Sequence, residues 1–263
     1  MTHPAYGELR QVSPIASVLL ENNPSSMTLE GTNTWVLRAP GAAESVVVDP
    51  GYHDLEHLPK LTETGPVALI LLTHHHPDHS EGAPWLAGQV GAPVRAFDPA
   101  LCQDAESFMD GERFSVAGLE IEVLHTPGHT DDSVCFRVGE QVLTGDTILG
   151  RGTTVLADLG SYLRSLRRLL DLPAGLGGLP GHGPELADLG TTAQEYLDHR
   201  EERLNQVRAA LELLGADATP RQIVEHVYAD VDRALWAPAE HSVRAQLGYL
   251  RAAEPIRPKE GPK

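Results

Sequence analysis

A chain of 263 residues, 41% of them hydrophobic and 22% charged, can bury a core as one large domain, or as one domain with a small appendage. That balance excludes a disordered polymer. The formal net charge of −17 is unevenly spread, with 10 Lys+Arg against 25 Asp+Glu in residues 1–190 and 10 against 12 in residues 191–263. The acidic first part disfavours global attraction to a phosphate backbone unless bound divalent ions reverse the field locally.

In chain order, short apolar segments bounded by Gly, Pro or Asp predict strands at 15–20, 33–37, 46–48, 67–72, 94–97, 119–124, 134–138 and 142–143. Residues 80–89 have looser, helical spacing, and the mixture indicates an α/β layered domain. Residues 161–170 predict a helix with Leu163, Leu166 and Leu170 on one face and Ser161 as its cap. The Gly/Pro-rich stretch 173–185 predicts loop. After it the character changes. Residues 191–214 form one uninterrupted amphipathic helix pattern, and Thr219-Pro220 opens a shorter helix to about 229. Residues 238–252 form a third helix with Val243, Leu247 and Leu250 inward, and a tail with Pro255, Pro258 and Pro262 follows. The chain therefore divides into a first domain, 1–188, and a small helical unit, 189–263.

The longest apolar run, 67–72, is too short to span a membrane, and the first ten residues lack a secretory pattern. Cys102 and Cys135 have no CxxC-type neighbour and cannot form a disulfide framework, so a reduced, cytoplasmic setting is the expectation.

The strand at 67–72 runs directly into HHHPDHS, where His74, His76, Asp78 and His79 follow the pattern H-x-H-x-D-H. Alternate residues of an extended segment project to one side, so His74 and His76 can reach one metal. Asp78 and His79, past the turn, can point at a neighbouring one. His129 follows in HTPGHT, Asp146 in LTGDT and His182 in LPGHGP, each where a strand meets a loop. One such dipeptide near a turn is usually structural; the whole series in this order is specific. Five imidazoles and two carboxylates without a thiolate suit zinc first and would also accept manganese, iron or nickel. The lack of Cys ligands argues against a closed structural zinc site.

These seven residues, over roughly residues 10–185, resemble the metallo-β-lactamase superfamily. The resemblance implies a four-layer αββα fold. It also implies that His74, His76 and His129 bind a first metal, that Asp78, His79 and His182 bind a second, and that Asp146 bridges them. GTNTWVL at 31–37, GHTDDS at 128–133, GDTILG at 145–150, GHGP at 181–184 and EYLDHREERLNQV at 195–207 resemble the lactamase-β-like protein two branch and its bacterial relatives. That branch carries a small C-terminal, winged-helix-like helical unit, in agreement with the reading of 189–263.

Two divalent ions about 3.5–4 Å apart can share a hydroxide, because metal binding lowers the pKa of water to about 7. The implied activity is metal-dependent hydrolysis by that bridging hydroxide, with no Ser or Cys nucleophile. Asp78 is read as a ligand first, and as a catalytic group that could orient the hydroxide or shuttle a proton. Asp49, in VVVDPG, either supports a ligand histidine by a hydrogen bond or caps the turn before Pro50-Gly51. His75 should point away from the metals; His125, Tyr162 and the dispersed Trp35, Trp85 and Trp236 read as packing, and Arg151 and the Arg167-Arg168 pair as solvated charge.

The expected substrate is a small (thio)ester, lactone or related acyl compound. Single-stranded RNA is the alternative, left open by Arg244, Arg251, Arg257 and Lys259 near the end of a unit otherwise read as a lid. A nucleic-acid-binding protein acting through that unit is disfavoured by its lack of net positive charge and of basic-aromatic interleaving. His76 stands where oxygen-reducing diiron relatives carry Glu, which speaks against that chemistry, and the full ligand set speaks against an inactive scaffold.

Overall fold

In the computed structural model, which describes residues 5–253, β-branched and apolar segments pair into two sheets. The first contains β1 (Leu9–Gln11), β2 (Ala16–Leu20), β3 (Asn33–Leu37), β4 (Ser45–Val48), β5 (Val67–Leu71) and β6 (Val94–Arg95), side by side in that order. Its first four strands are antiparallel, whereas β4, β5 and β6 run parallel. The second runs β11 (Gly177–Pro180), β10 (Gln141–Gly145), β9 (Val134–Val138), β8 (Leu119–His125), β7 (Arg113–Val116), antiparallel except where β10 and β11 pair in parallel. Between strands lie α1 (Leu58–Thr62), α2 (Pro77–Ser80), α3 (Ala83–Val90) and α4 (Leu159–Leu170); α5 (Leu189–Leu214), α6 (Pro220–Val227) and α7 (Trp236–Ala253) follow.

The period of two along each strand sorts side chains into layers. Trp35, Leu37, Leu69 and Leu71 face Ile121, Val123, Phe136 and Leu143 between the sheets. The alternate residues Val36 and Ile70 face outward onto Leu58, Leu61 and Leu86 of α1 and α3. On the far side, Leu124, Cys135 and Val142 pack under Leu163, Leu166 and Leu169 of α4. Helices, sheet, sheet, helices: the four-layer αββα expectation is met.

Several local expectations change. The stretch 173–185 is not all loop, because Gly177–Pro180 adds a strand in which Gly178 lets Leu186 pack where a Cβ would stand. The short, largely exposed β1 and the polar β7 carry little apolar pattern and were not expected. The single helix at 80–89 is two, α2 and α3, separated at Gly82, where a side chain would meet Leu58 and the Tyr52 carbonyl. The cap of α4 is Asp158, which accepts a hydrogen bond from the Ser161 backbone; Ser161 is inside the helix. Asp188 likewise starts α5 earlier than 191. Thr219 caps α6 as expected, with Gln222 completing a capping box. Only residues 94–95 of the segment 94–97 pair as strand, and α7 starts at Trp236.

The C-terminal part, residues 189–253 among the described ones, is built of helices joined by short turns, and its core is continuous with the outer face of α4. Tyr196, Leu197, Leu204, Ile223, Val243 and Leu247 belong to the same cluster as Leu163 and Leu166. The proline tail, Arg257 and Lys259 lie outside the described residues. Among the described residues no helix is long and apolar enough to cross a membrane. Cys102 and Cys135 are free.

Candidate metal centre

All seven residues of the sequence pattern meet at one edge of the two sheets. His74 and His76 follow β5, Asp78 and His79 sit on α2, His129 lies in the turn after β8, and Asp146 and His182 follow β10 and β11. His76 Nδ1 is 3.1 Å from His74 Nε2 and 2.9 Å from His129 Nε2. On the other side His182 Nε2 is 3.3 Å from His79 Nε2 and 3.2 Å from Asp78 Oδ2. Asp146 lies between the two groups, with Oδ1 3.4 Å from His182 Nε2 and 3.5 Å from His79 Nε2, and Oδ2 3.6 Å from His129 Nε2.

The partners on the outer side fix the ring tautomers. His129 Nδ1 donates to the Val155 carbonyl at 2.8 Å, and His182 Nδ1 donates to the Gly31 carbonyl at 3.1 Å. His79 Nδ1 donates to Asp49 Oδ2 at 2.9 Å. His74 Nδ1 donates to Thr73 Oγ1 at 3.0 Å, and that hydroxyl donates in turn to Asp49 Oδ2 at 2.6 Å. Asp49 thus orients His79 directly and His74 through Thr73, so of its two sequence readings the supporting one holds. It is 1% exposed and adopts φ 54, an unusual conformation for a residue other than glycine.

With their Nδ1–H groups committed outward, four imidazoles turn Nε2 inward toward each other and toward two carboxylates, and His76 adds its Nδ1. His76 Nδ1 stands 3.1 and 2.9 Å from its two neighbours, and His79 Nε2 stands 3.3 Å from His182 Nε2, spacings at which a shared cation or proton must sit between the nitrogens. At Zn–N distances of about 2.0–2.1 Å, neighbouring nitrogens of a tetrahedral site stand about 3.3–3.4 Å apart, close to the spacing here. Asp146 Oδ1 is buried without a hydrogen-bond partner among the described residues. The groups His74–His76–His129, Asp78–His79–His182 and His74–His79–Asp146 each bring three donor atoms within 4.8 Å of one another, so the donor set fits divalent metal.

The local field separates the two halves. Burial, then neighbouring histidines, holds His74 well below its usual value and His76 down to about 4, and burial also lowers His129. These rings are neutral, as ligands must be. Burial acts the same way on His79 and His182, but Asp146, backed by Asp49 or Asp78, overrides it and raises both. Burial opposes ionisation of Asp146, yet His182, His79 and His129 hold it well below the ordinary carboxylate range. Asp78 is also lowered, burial being outweighed by its hydrogen bond with His182 and by His79.

The other candidates fall where the sequence put them. His75 turns to Asp132, 2.7 Å from Nδ1 to Oδ1. His125 stacks on Phe97 at 4.0 Å. The Tyr162 hydroxyl donates to the Thr147 carbonyl at 2.6 Å in the core. Arg151 pairs with Glu30, Arg168 with Asp110, and Trp35 is core.

Sequence reasoning missed two contributors. Gly181 has the space a side chain would need already taken, since a Cβ there would stand 2.6 Å from Asp146 Oδ1 and 2.7 Å from His79 Cε1. Its backbone is not left-handed, so Gly181→Ala should fold yet push those two groups apart. Metal analysis of the purified variant should show at least one equivalent lost; full occupancy would contradict the geometry. Glu21, 1% exposed, accepts the Tyr52 N–H at 3.2 Å. Burial pushes it up to about 7, with Asp54 and Asp78 adding to the rise. A carboxyl that binds protons more tightly when folded stabilises fully below its unfolded value of about 4.3, and that contribution is lost as pH rises through about 7. At about 1.4 kcal/mol per tenfold in proton affinity, the rise from about 4.3 to about 7 makes the loss at most about 4 kcal/mol. Denaturant unfolding at pH 5 and pH 8, with equal metal loading, should show a steeper fall for the wild type than for Glu21→Gln; parallel pH dependence would refute this.

The basin over the centre has a volume of about 640 Å³ and an apolar wall from Met27, Val155, Leu156 and Ala157, with His241 of α7 at its rim.

Residues 27–182 match the family described as the metallo-beta-lactamase superfamily, and residues 219–256 match the beta-lactamase associated winged helix domain. The chain is 38% identical over 227 residues to the lactamase-like protein adaB of Aspergillus niger, covering 82% of this chain and 70% of that protein. It is 31% identical over 262 residues to the beta-lactamase-like protein 2 homolog of Drosophila melanogaster, covering 91% and 88%. It is also 31% identical over 261 residues to the atrochrysone carboxyl ACP thioesterase of Aspergillus fumigatus, covering 89% and 81%. Among solved structures, a metallo-beta-lactamase family protein from Thermus thermophilus superposes with a TM-score of 0.76 at 26% identity, covering 92% of this chain and 95% of that one.

Proposed function

Since the chain belongs to the metallo-beta-lactamase superfamily and is a hydrolase, we propose that it uses two divalent ions, zinc first, to hydrolyse a small acyl substrate: a thioester, ester or lactone. The observation that carries this reading is the convergence of imidazole nitrogens and carboxylate oxygens on two adjacent positions that share Asp146. His74, His76 and His129 would hold one ion, Asp78, His79 and His182 the other, and Asp146 would face both. When bound, such ions polarise a carbonyl and supply an activated water near neutral pH.

The chain's own residues do the rest. Asp49 and Thr73 lock the two central rings so that the donors need no rearrangement. Asp78, ionised and at the open side of the basin, serves as a ligand first and can take a proton from a water beside it. The apolar wall from Met27 to Ala157 suits an acyl chain and excludes water from it. A thioesterase among the relatives supports an acyl substrate, and the acidity of residues 1–190 disfavours a polyanion. Arg244, which the sequence left open for RNA, is engaged with Glu240 at 3.6 Å.

Metal-loaded protein should be tested on acyl thioesters, homoserine lactones, a chromogenic cephalosporin, bis(p-nitrophenyl) phosphate and short RNA. Turnover of an acyl member, lost on chelation and regained with zinc, is expected; a phosphodiester or RNA processed faster than every acyl compound would overturn the substrate class.

A further inference from the structure

A second cavity, of about 360 Å³, opens from the metal basin, and His129, Asp146 and Val155 line both. It runs between the loop 149–155, α5 and the start of α7, and at its far side α5 presents His199, Arg200 and Arg203. Arg200 is 3% exposed; its guanidinium lies 5.3 Å from the Tyr162 ring centre and donates to the Thr154 carbonyl at 2.5 Å. Arg203 stacks 4.6 Å from the Tyr228 ring centre and donates to Gln206 Oε1 at 2.8 Å. Among the described residues neither guanidinium has a carboxylate within 4.0 Å, whereas Arg151, which lines the same cavity, is paired with Glu30.

Two polar atoms of these side chains also lack a partner. Arg200 Nε and His199 Nδ1 are buried and have no hydrogen-bond partner among the described residues. Burial, followed by Arg200 and Arg203, holds His199 below its usual value, as expected beside uncompensated positive charge. Burying cations without a counter-charge is expensive, and unpaired N–H groups add to it. An anion supplied by a ligand relieves both, and guanidinium groups suit carboxylate and phosphate geometry. The remaining wall is mostly apolar, with Leu149, Tyr228, Val231, Leu235 and Pro238, and is completed by Arg151, Thr153 and Ser242.

We infer that this cavity binds an anionic group, a carboxylate or a phosphate, borne by the substrate whose acyl bond lies in the metal basin, with Arg200 and Arg203 as the recognising residues. The inference deepens the acyl-hydrolase reading and rests on it for the reaction, but not for the binding. The charge sits either on the acyl chain or on the departing thiol.

Two series of thioesters separate those sources. N-acetylcysteamine thioesters of succinyl, adipoyl and suberoyl groups are compared with butanoyl, hexanoyl and octanoyl ones, and hexanoyl-phosphopantetheine is compared with hexanoyl-pantetheine. At least one charged member should exceed its neutral match about tenfold in kcat/KM, and Arg203→Gln should bring that ratio close to one, with partial recovery in Arg203→Lys. In parallel, calorimetry on zinc-loaded protein should show adipate or phosphopantetheine binding about tenfold tighter than hexanoate or pantetheine, a gap that closes in folded Arg203→Gln. No charge preference in either assay, or a preference that survives Arg203→Gln, would overturn the inference. A calorimetric gap dependent on Arg203 without turnover of any thioester would leave the anion site standing and remove the thioester from the proposed substrates. Turnover with no gap would do the reverse.

Discussion

Asp146→Asn should lower hydrolysis by on the order of 10³-fold and remove at least one metal equivalent, more than the 10–100-fold typical when only a supporting partner is lost. The carboxylate turns Oδ1 toward His79 and His182 and Oδ2 toward His129, so it serves both halves of the centre with opposite oxygens. An amide keeps the shape but loses the negative charge and turns an N–H pair toward one of those nitrogen groups. Its charge is also what raises His79 and His182, so both rings should become easier to deprotonate in the variant. Elemental analysis and a rate assay check the result; two retained equivalents with wild-type turnover would contradict the assignment.

Asp49→Ala should be the most damaging change at a residue that touches no proposed metal position. Three donors converge on this carboxylate: the Thr73 N–H at 2.8 Å, the Thr73 hydroxyl at 2.6 Å and His79 Nδ1 at 2.9 Å. Alanine leaves all three buried and unmet, and the left-handed backbone at this position suits alanine poorly. A loss of about 3–5 kcal/mol in unfolding free energy is expected, with metal affinity reduced about 10–100-fold. Asp49→Asn, which tolerates that backbone and keeps one acceptor oxygen, should fold and retain part of the affinity. Denaturant unfolding and competition with a metal chelator measure the two effects. Equal metal affinity in wild type and Asp49→Ala would show that the tautomers are set some other way.

Much of this centre was legible in the sequence because ligands need particular atoms at particular spacings, and the residue types declare them. His74, His76, Asp78 and His79 are local, and His129, Asp146 and His182 each follow an apolar strand or a Gly/Pro turn. The sheets were legible for a related reason: buried strands such as Val134–Val138 leave no polar alternative. What escaped had no compositional signature. β1 and β7 are held by pairing rather than burial, and β11 was hidden because Gly and Pro dominate it. Asp158 and Ser161 are both good caps, and only the backbone angles decide between them. Gly181 and Glu21 act through closeness to residues far along the chain. His199, Arg200 and Arg203 fall inside the amphipathic pattern of 191–214, and nothing in a sequence shows that they line a cavity.

The shared apolar layer beneath α4 has an engineering consequence. Leu163 and Leu166 on one side, and Leu197, Leu204, Val243 and Leu247 on the other, belong to a single cluster. A chimera that grafts the last seventy or so residues of another protein onto this one would therefore be a repacking problem and not a matter of joining two beads on a string. Its success would depend on matching side-chain volumes across that seam, whatever tether is chosen.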